Sequence, residues 1–102
     1  MPNEEMIKLI GLALSIRDMS ATVKMVLITM IIESDERMEM FVERATYYVL
    51  MRGLARRSKA SIYRSIRLLT QRGFVSVVQK EKEGYWEKAW KVNPEVIVEA
   101  AK

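Results

Sequence analysis

The sequence contains neither cysteine nor histidine. Without cysteine there can be no disulfide and no thiolate ligand for a metal. Without histidine the commonest general base, which is also the commonest metal-binding side chain, is missing as well. Because catalysis would have to proceed without these groups, we expect no enzymatic activity, no bound metal and no cofactor.

Long apolar runs are also missing. No run approaches the roughly 20 residues that a membrane-spanning helix needs, and the first residues lack the basic and apolar regions of a secretion signal. A chain of 102 residues is long enough for one compact domain and too short for two separate cores. We therefore expect a single domain over residues 1–102, cytoplasmic and without a membrane partner.

Acidic side chains are absent from one long stretch. Between Arg44 and Lys80 the sequence has nine Lys or Arg and no Asp or Glu. Residues 1–43 carry four basic and eight acidic side chains, and residues 44–102 carry thirteen and five, which gives formal charges of −4 and +8. A solvated surface usually mixes both signs, whereas a field of one sign is typical of a surface that docks a polyanion. The distribution favours a nucleic-acid-binding protein.

The first predicted helix runs from Asn3 to Arg17, with Asn3 as a candidate N-cap. Apolar residues at helical spacing form one stripe: Met6, Ile7, Ile10, Ala13 and Leu14. Leu9 and Leu12 add apolar surface beyond that stripe. The helix therefore either packs entirely within the domain or contributes to a dimer interface.

A second helix is predicted from about Ala21 to Glu33, capped by Asp18 or Ser20. It is apolar nearly all round, which is typical of a central core helix. A third helix is predicted from about Glu36 to Arg52. The polar segment 34–37 supplies its candidate caps, and Gly53 is a plausible residue to end it.

The next helix, residues 58–72, has one apolar and one cationic side. Ser58 is the best N-cap candidate and Gly73 ends the helix. Residues 54–57 form the turn before it, or residues 55–57 belong to an early first turn of the helix. The spacing turns Ile62, Ile66 and Leu69 towards the core. It turns Ala60, Arg64, Arg67 and Gln71 to the opposite side, flanked by Lys59, Ser61 and Tyr63.

A β-hairpin and a last helix are predicted after Gly73. The β-branched stretch 74–79 predicts a strand, 80–84 a charged turn and 85–92 the returning strand, with Trp90 and Val92 in the core. Asn93 as N-cap and Pro94 at the first helical position start a short helix to Lys102.

This order of elements resembles a winged helix-turn-helix domain: mainly α, with a β-hairpin and additional N-terminal and C-terminal helices. SKASIYRSIRLLTQRGFV, residues 58–75, is similar to the recognition-helix stretch of small prokaryotic regulators. AWKVNPEVIVEAAK is similar to the end of archaeal TrmB-type and MarR/PadR-like winged domains. The likeness covers roughly residues 20–98 and departs from the family pattern at GLARR, residues 53–57. It implies an N-terminal helix at 1–19, a winged core at 20–92 and a C-terminal helix at 93–102.

The resemblance implies a transcription regulator that is associated with the nucleoid and binds double-stranded DNA. Helix 58–72 would enter the major groove and hairpin 74–92 would serve as the wing. Four residues would contact base edges or adjacent phosphates: Lys59, Ser61, Tyr63 and Arg64. Three would contact phosphates: Arg56, Arg57 and Arg67. Lys80 and Lys82 would make the wing contact with DNA. A homodimer through the N-terminal and C-terminal helices would read two half-sites. Two alternatives stay open: a DNA-organising or segregation protein that spreads along DNA, and a module that binds another protein.

Overall fold

The computed structural model describes residues 3–41 and 59–102. Over these residues the chain forms four helices and a three-stranded antiparallel sheet, an α+β arrangement. The helices are α1 (Asn3–Leu14), α2 (Ala21–Glu33), α3 (Lys59–Gln71) and α4 (Pro94–Ala100). The strands are β1 (Glu39–Phe41), β2 (Val75–Lys82) and β3 (Tyr85–Val92), in the spatial order β1-β3-β2.

Helix α2 is the central helix of the core, as its sequence predicts. Ser20 rather than Asp18 caps it, because the Ser20 hydroxyl accepts a hydrogen bond from the Val23 backbone N–H at 3.3 Å. Seven of its residues are buried: Val23, Val26, Leu27, Ile28, Thr29, Met30 and Ile31. The helix packs against both α1 and α3, so it connects the N-terminal part of the domain to the cationic helix.

Helix α1 ends at Leu14, three residues before the predicted end at Arg17. Lys24 closes this end by donating from its ammonium to the Leu14 carbonyl oxygen at 2.9 Å. Of the predicted apolar stripe, Ala13 is buried in the core, whereas Ile7 and Leu14 are exposed. The buried residues on this side of the chain are Leu9, Ala13 and Ile16.

The predicted helix from Glu36 to Arg52 is wrong at its start, where the chain forms a turn and then strand β1. The Asp35 carboxylate accepts hydrogen bonds from the backbone N–H groups of Arg37 at 2.9 Å and Glu39 at 3.0 Å. Strand β1 then pairs antiparallel with β3, with Met40 opposite Trp90. The rest of that prediction, together with Gly53, the turn 54–57 and Ser58, lies outside the described residues.

Helix α3 presents its predicted stripe to the core, since Ile62, Ile66 and Leu69 are all buried. Gly73 ends the helix with a φ of 81°, in the left-handed region that glycine favours. Its N–H donates to Thr70 at 3.1 Å, and the N–H of Phe74 donates to Leu69 at 2.9 Å. This pair of bonds is a Schellman motif, which turns the chain directly into β2.

The hairpin is longer and tighter than predicted. Its turn is only Glu83-Gly84, with φ of 50° and 87°, the signs that a two-residue type I′ turn requires. Strand β2 consequently runs to Lys82, so the predicted five-residue turn at 80–84 is wrong. Trp90 and Val92 are buried as predicted.

Helix α4 begins where the sequence predicts, after Asn93 and with Pro94 in its first turn, and it ends at Ala100. The Asn93 side chain makes no capping bond. It donates instead to the Gly73 carbonyl oxygen at 2.8 Å and to the Ser76 hydroxyl at 2.9 Å. Ile97 is buried, and α4 packs against α1.

Candidate functional site

One side of α3 carries exposed side chains along its whole length. Ala60, Arg64, Arg67 and Gln71 are all exposed and lie at a spacing of three or four residues, opposite the buried stripe. We call these four residues the outer face of α3. Tyr63 borders it and is exposed as well. The helix contains no acidic residue, so the outer face presents two guanidinium groups without a carboxylate on the same helix.

Two hydroxyl groups of α3 donate hydrogen bonds within the helix. Ser65 donates to the Ser61 carbonyl oxygen at 3.0 Å, and Thr70 donates to the Ile66 carbonyl oxygen at 2.8 Å. Such bonds to the preceding turn leave Ser65 and Thr70 without a donor hydrogen for a ligand. Ser61, a predicted site residue, is half-buried beside the outer face.

The remaining predicted residues at the start of α3 are only partly described. Lys59 begins the helix, and its side chain is not among those described. Arg56 and Arg57 lie outside the described residues. The assignments of these residues therefore stay predictions of the sequence: base edges or adjacent phosphates for Lys59, and phosphates for Arg56 and Arg57.

Arg72 is a structural cation. Its guanidinium donates to both carboxylate oxygens of Asp18, at 3.0 and 2.9 Å, and to the Asp18 backbone carbonyl oxygen at 3.1 Å. It also lies 5.2 Å from the centre of the Phe74 ring. The hydrogen bond and the charge of Arg72 lower the pKa of Asp18. The pair fastens the α1–α2 connection to the end of α3, and sequence spacing gives no sign of it because the partners are 54 positions apart.

Lys80 does not lie at the hairpin tip, where the sequence predicted it. It is a residue of β2, and its ammonium lies 2.6 Å from a carboxylate oxygen of Asp35 and 3.3 Å from one of Glu39. Its side chain is only 20% exposed. The Asp35 hydrogen bond is the main cause that raises the pKa of Lys80. The Lys80 ammonium therefore offsets the negative charges of the Asp35 and Glu39 carboxylates.

The pKa of Asp35 is shifted by the same ion pair. Burial acts to raise the pKa of Asp35, but the Lys80 hydrogen bond and the backbone N–H groups of Glu39 and Arg37 outweigh it, so the pKa is lowered. A half-buried carboxylate that stays ionised needs such donors. Asp35 therefore holds both the turn before β1 and the Lys80 ammonium.

Lys82 differs from Lys80 although both are on the same side of β2. It is exposed and is the last residue of the strand before the turn. Its ammonium lies 5.1 Å from the centre of the Phe41 ring, a contact that holds the cation at the surface. Of the two predicted hairpin lysines, Lys82 is the one available to a partner.

Two aromatic side chains at the hairpin tip were not predicted as site residues. Tyr85 is 73% exposed and Trp86 is 69% exposed, at the start of β3. Consecutive strand residues point to opposite sides, so the tip presents one aromatic ring on each face. The sequence signal for their exposure is their closeness to the turn, beyond the reach of the core.

Other features of the described residues suggest no further chemistry. No group of three or more acidic side chains is placed to hold a metal ion within residues 3–41 and 59–102. A groove of about 210 Å³ lies beside α3, lined mainly by Met19, Val23, Leu68 and Leu69, and the ion pair of Asp18 and Arg72 forms its edge. In the same part of the chain no helix is long and apolar enough to cross a bilayer.

Family models, curated proteins and solved structures were each compared with the chain, and none of the three comparisons finds a match.

Proposed function

We propose that this chain is a winged helix-turn-helix protein that binds double-stranded DNA, with α3 in the major groove. The observation that carries the proposal is the outer face of α3. It holds Arg64 and Arg67 exposed on a helix with no acidic residue, while the opposite stripe anchors the helix in the core. The major groove of B-DNA is wide enough to admit such a helix, and Arg is the commonest specific partner of guanine there.

The order of elements supports the winged arrangement. Helix α3 leads through Gly73 directly into a hairpin, and β3 of that hairpin also pairs with the short strand β1 that follows α2. The sheet lies against the same core as α3, because Val75, Trp90 and Val92 are buried with the α3 stripe. The free end of the hairpin is then the wing.

The proposed site residues make two kinds of contact with DNA, to base edges and to phosphates. Arg64, with Tyr63 and Ser61 beside it, reads base edges or grips the phosphates next to them. Arg67 binds phosphate, as do Arg56 and Arg57 by the sequence prediction, and phosphate contacts fix the register without reading sequence. By the same prediction Lys59 contacts base edges or the phosphates next to them. Lys82 makes the wing contact. We assign no DNA contact to Lys80 or Arg72, because each cation is paired with a carboxylate of its own chain.

Sequence-specific regulation is the activity we assign to this site. Selection of bound sequences from a random DNA pool, followed by footprinting, tests it. We expect one enriched motif and a footprint of constant length as the protein concentration rises. A footprint that grows outward would instead establish a DNA-organising protein that spreads, and the absence of any DNA binding would overturn the proposal.

One observation favours a second candidate, a module that binds another protein. Tyr85 and Trp86 are exposed aromatic residues at the hairpin tip, and aromatic side chains are enriched where proteins meet. In that case Arg64→Ala would leave the partner bound and Trp86→Ala would release it. The cationic outer face of α3 would then have no role, which is why we rank this function second.

A further inference from the structure

Strand β2 is at the edge of the sheet. The spatial order is β1-β3-β2, so β2 pairs with β3 on one side. Over residues 3–41 and 59–102 no strand lies along its other side, which we call the outer edge of β2. An open edge exposes a row of backbone N–H and C=O groups that can pair with another extended chain. The outer edge of β2 is therefore a candidate interaction surface.

The register identifies which backbone groups of β2 face outward. In an antiparallel pair, residues that exchange hydrogen bonds with the partner strand alternate with residues whose N–H and C=O point away from it. The N–H of Val92 donates to the Met38 carbonyl oxygen at 2.8 Å, on the β1 side of β3. Val92 and its partner Val75 are therefore not a hydrogen-bonded pair. Counting by two along β2, the groups that point to the outer edge are those of Val77, Gln79 and Glu81.

The usual protections of an edge strand are missing from β2. Natural sheets protect an edge with proline, with a bulge, with a very short strand or with lysine side chains. Strand β2 has eight residues and neither proline nor glycine, and it pairs with β3 residue for residue, without a bulge. Its lysines contact residues of β1: Lys80 pairs with Glu39, and the Lys82 ammonium lies against the ring of Phe41. Because β3 lies between β1 and β2, both lysine side chains extend away from the outer edge.

The side chains along the outer edge define the chemistry of a partner. Val77 is 52% exposed and Val78 is half-buried, so apolar residues opposite these two would cover apolar surface. Glu81 is exposed, and a cation opposite it would complete a cross-strand pair. All strand pairs in the described sheet are antiparallel. In an added antiparallel strand, the basic residue precedes the two apolar residues by three and four positions.

We propose that the outer edge of β2 binds an extended segment of a partner protein as an additional antiparallel strand. The segment places a basic residue opposite Glu81 and two apolar residues opposite Val78 and Val77. At the centre of the contact, the backbone of Gln79 exchanges hydrogen bonds with the residue opposite it. Strand addition of this kind takes its affinity from backbone bonds and its specificity from alternate side chains. The contact uses none of the residues assigned to DNA and no aromatic residue of the hairpin tip.

Hydrogen exchange of the full chain, followed by NMR without a partner, tests whether the edge is open. We expect the amides of Gln79 and Glu81 to exchange at least about tenfold faster than those of Val78 and Lys80, which donate to β3. Equal protection of the two sets would overturn the proposal. Protection of Gln79 that appears only when the protein concentration is raised would overturn it as well, because a second copy would then occupy the edge.

Binding is tested with the capped peptide Lys-Thr-Thr-Val-Ile, whose residues match the edge from Glu81 to Val77. We expect binding below about 1 mM, with new protection of the Val77, Gln79 and Glu81 amides. Absence of binding at this concentration would overturn the proposal.

N-methylated peptides give a matched control that leaves the protein unchanged. The N–H of the third peptide residue faces Gln79, whereas the N–H of the fourth points away from β2. A methyl group on the third nitrogen should weaken binding about tenfold or more, because it removes a backbone bond and blocks close approach. The same group on the fourth nitrogen should leave binding unchanged. Equal effects of the two methyl groups would overturn strand addition.

A charge exchange tests the direction of the added strand. Glu81→Lys should weaken peptide binding about threefold, because like charges would then lie opposite each other. A peptide with Glu in place of its Lys should restore the affinity for this variant. Glu95→Lys is the matched control, since Glu95 is exposed on α4, and it should leave peptide binding unchanged. Equal weakening by the two variants, or no restoration by the exchanged peptide, would overturn the proposal.

Discussion

The side-chain amide of Asn93 donates a hydrogen bond to the carbonyl oxygen of Gly73 at 2.8 Å. The same amide donates to the Ser76 hydroxyl, and the Asn93 backbone N–H donates to the Phe74 carbonyl oxygen at 2.9 Å. One residue at the exit of the hairpin thus holds the end of α3 and the entry of β2. The hairpin is fixed at its base relative to the helix that we propose for DNA binding.

Replacing Asn93 should show that it acts as this link and not as a helix cap. Asn93→Ala removes both donors and leaves the Gly73 carbonyl oxygen without its partner, so we expect the free energy of unfolding to fall by about 1–3 kcal/mol. Chemical denaturation measures it.

Asn93→Asp separates the two roles of this residue. Aspartate caps helices as well as asparagine does, but it has no donor and would place a carboxylate against a carbonyl oxygen. We expect it to destabilise the protein at least as much as Asn93→Ala. A stability equal to wild type would mean that capping is the role of Asn93.

Replacing Lys80 should affect mainly stability, whereas replacing Lys82 should affect mainly DNA binding. Lys80→Ala leaves the carboxylates of Asp35 and Glu39 without their cation, so it should lower stability and leave DNA affinity little changed at temperatures where the variant is folded. Lys82→Ala should keep stability within about 0.5 kcal/mol. It should reduce the salt dependence of DNA binding by about 0.9 in log slope, the loss of one phosphate contact. Fluorescence anisotropy at several salt concentrations measures the slope, and equal effects of the two variants on it would contradict this assignment.

The Asp35–Lys80 pair predicts a pH dependence of stability. Because the pKa of Asp35 is lowered in the folded state, its contribution is present above pH ~4, the unfolded value, and is lost as pH falls through the folded pKa. The pKa of Lys80 is raised, so its contribution is present below about pH 10.4 and is lost as pH rises through the folded pKa.

Asp35→Asn is the matched variant, since it keeps an oxygen that can accept from the backbone of Arg37 and Glu39. The difference in unfolding free energy between wild type and Asp35→Asn should therefore be largest near neutral pH and shrink towards both extremes. A difference that stays constant from pH 3 to pH 7 would mean that the charge of Asp35 contributes nothing.

The fluorescence of Trp86 can report whether the hairpin tip contacts DNA. The protein has two tryptophans, of which Trp86 is 69% exposed and Trp90 is 7% exposed. Acrylamide should quench Trp86 strongly in the free protein, and DNA should protect it if the hairpin is a wing. Trp86→Phe should remove the quenchable component. If DNA binds and Trp86 keeps its full quenching, the wing contact is wrong.

Local sequence patterns predicted much of the fold. The bounds of α2, the buried stripe of α3 and the glycine that ends it follow from periodicity and from Gly73, which are properties of neighbouring residues. Strand β1 was missed because its three residues, Glu39–Phe41, are held by pairing with β3, about 50 positions away. Asp35 also favours the prediction of a helix at this point, because its bonds to backbone N–H groups imitate a helix cap.

The candidate site was predictable only in part. Helical spacing places Arg64 and Arg67 on the exposed side, but no local pattern distinguishes these exposed cations from Arg72 and Lys80, whose acidic partners are distant in sequence. Helix α1 shows the same limit. Its apolar surface is so wide that spacing alone could not decide which edge faces the core.

The DNA affinity of Arg64→Ala, compared with that of Lys8→Ala, tests the central claim most directly. Both residues are exposed cations on helices, so each change removes one charge. We predict that Arg64→Ala weakens binding to the selected motif by about 1–3 kcal/mol and relaxes its sequence preference, while Lys8→Ala stays near wild type. Equal affinities for the two variants would contradict the account, because α3 would then have no special role in binding DNA.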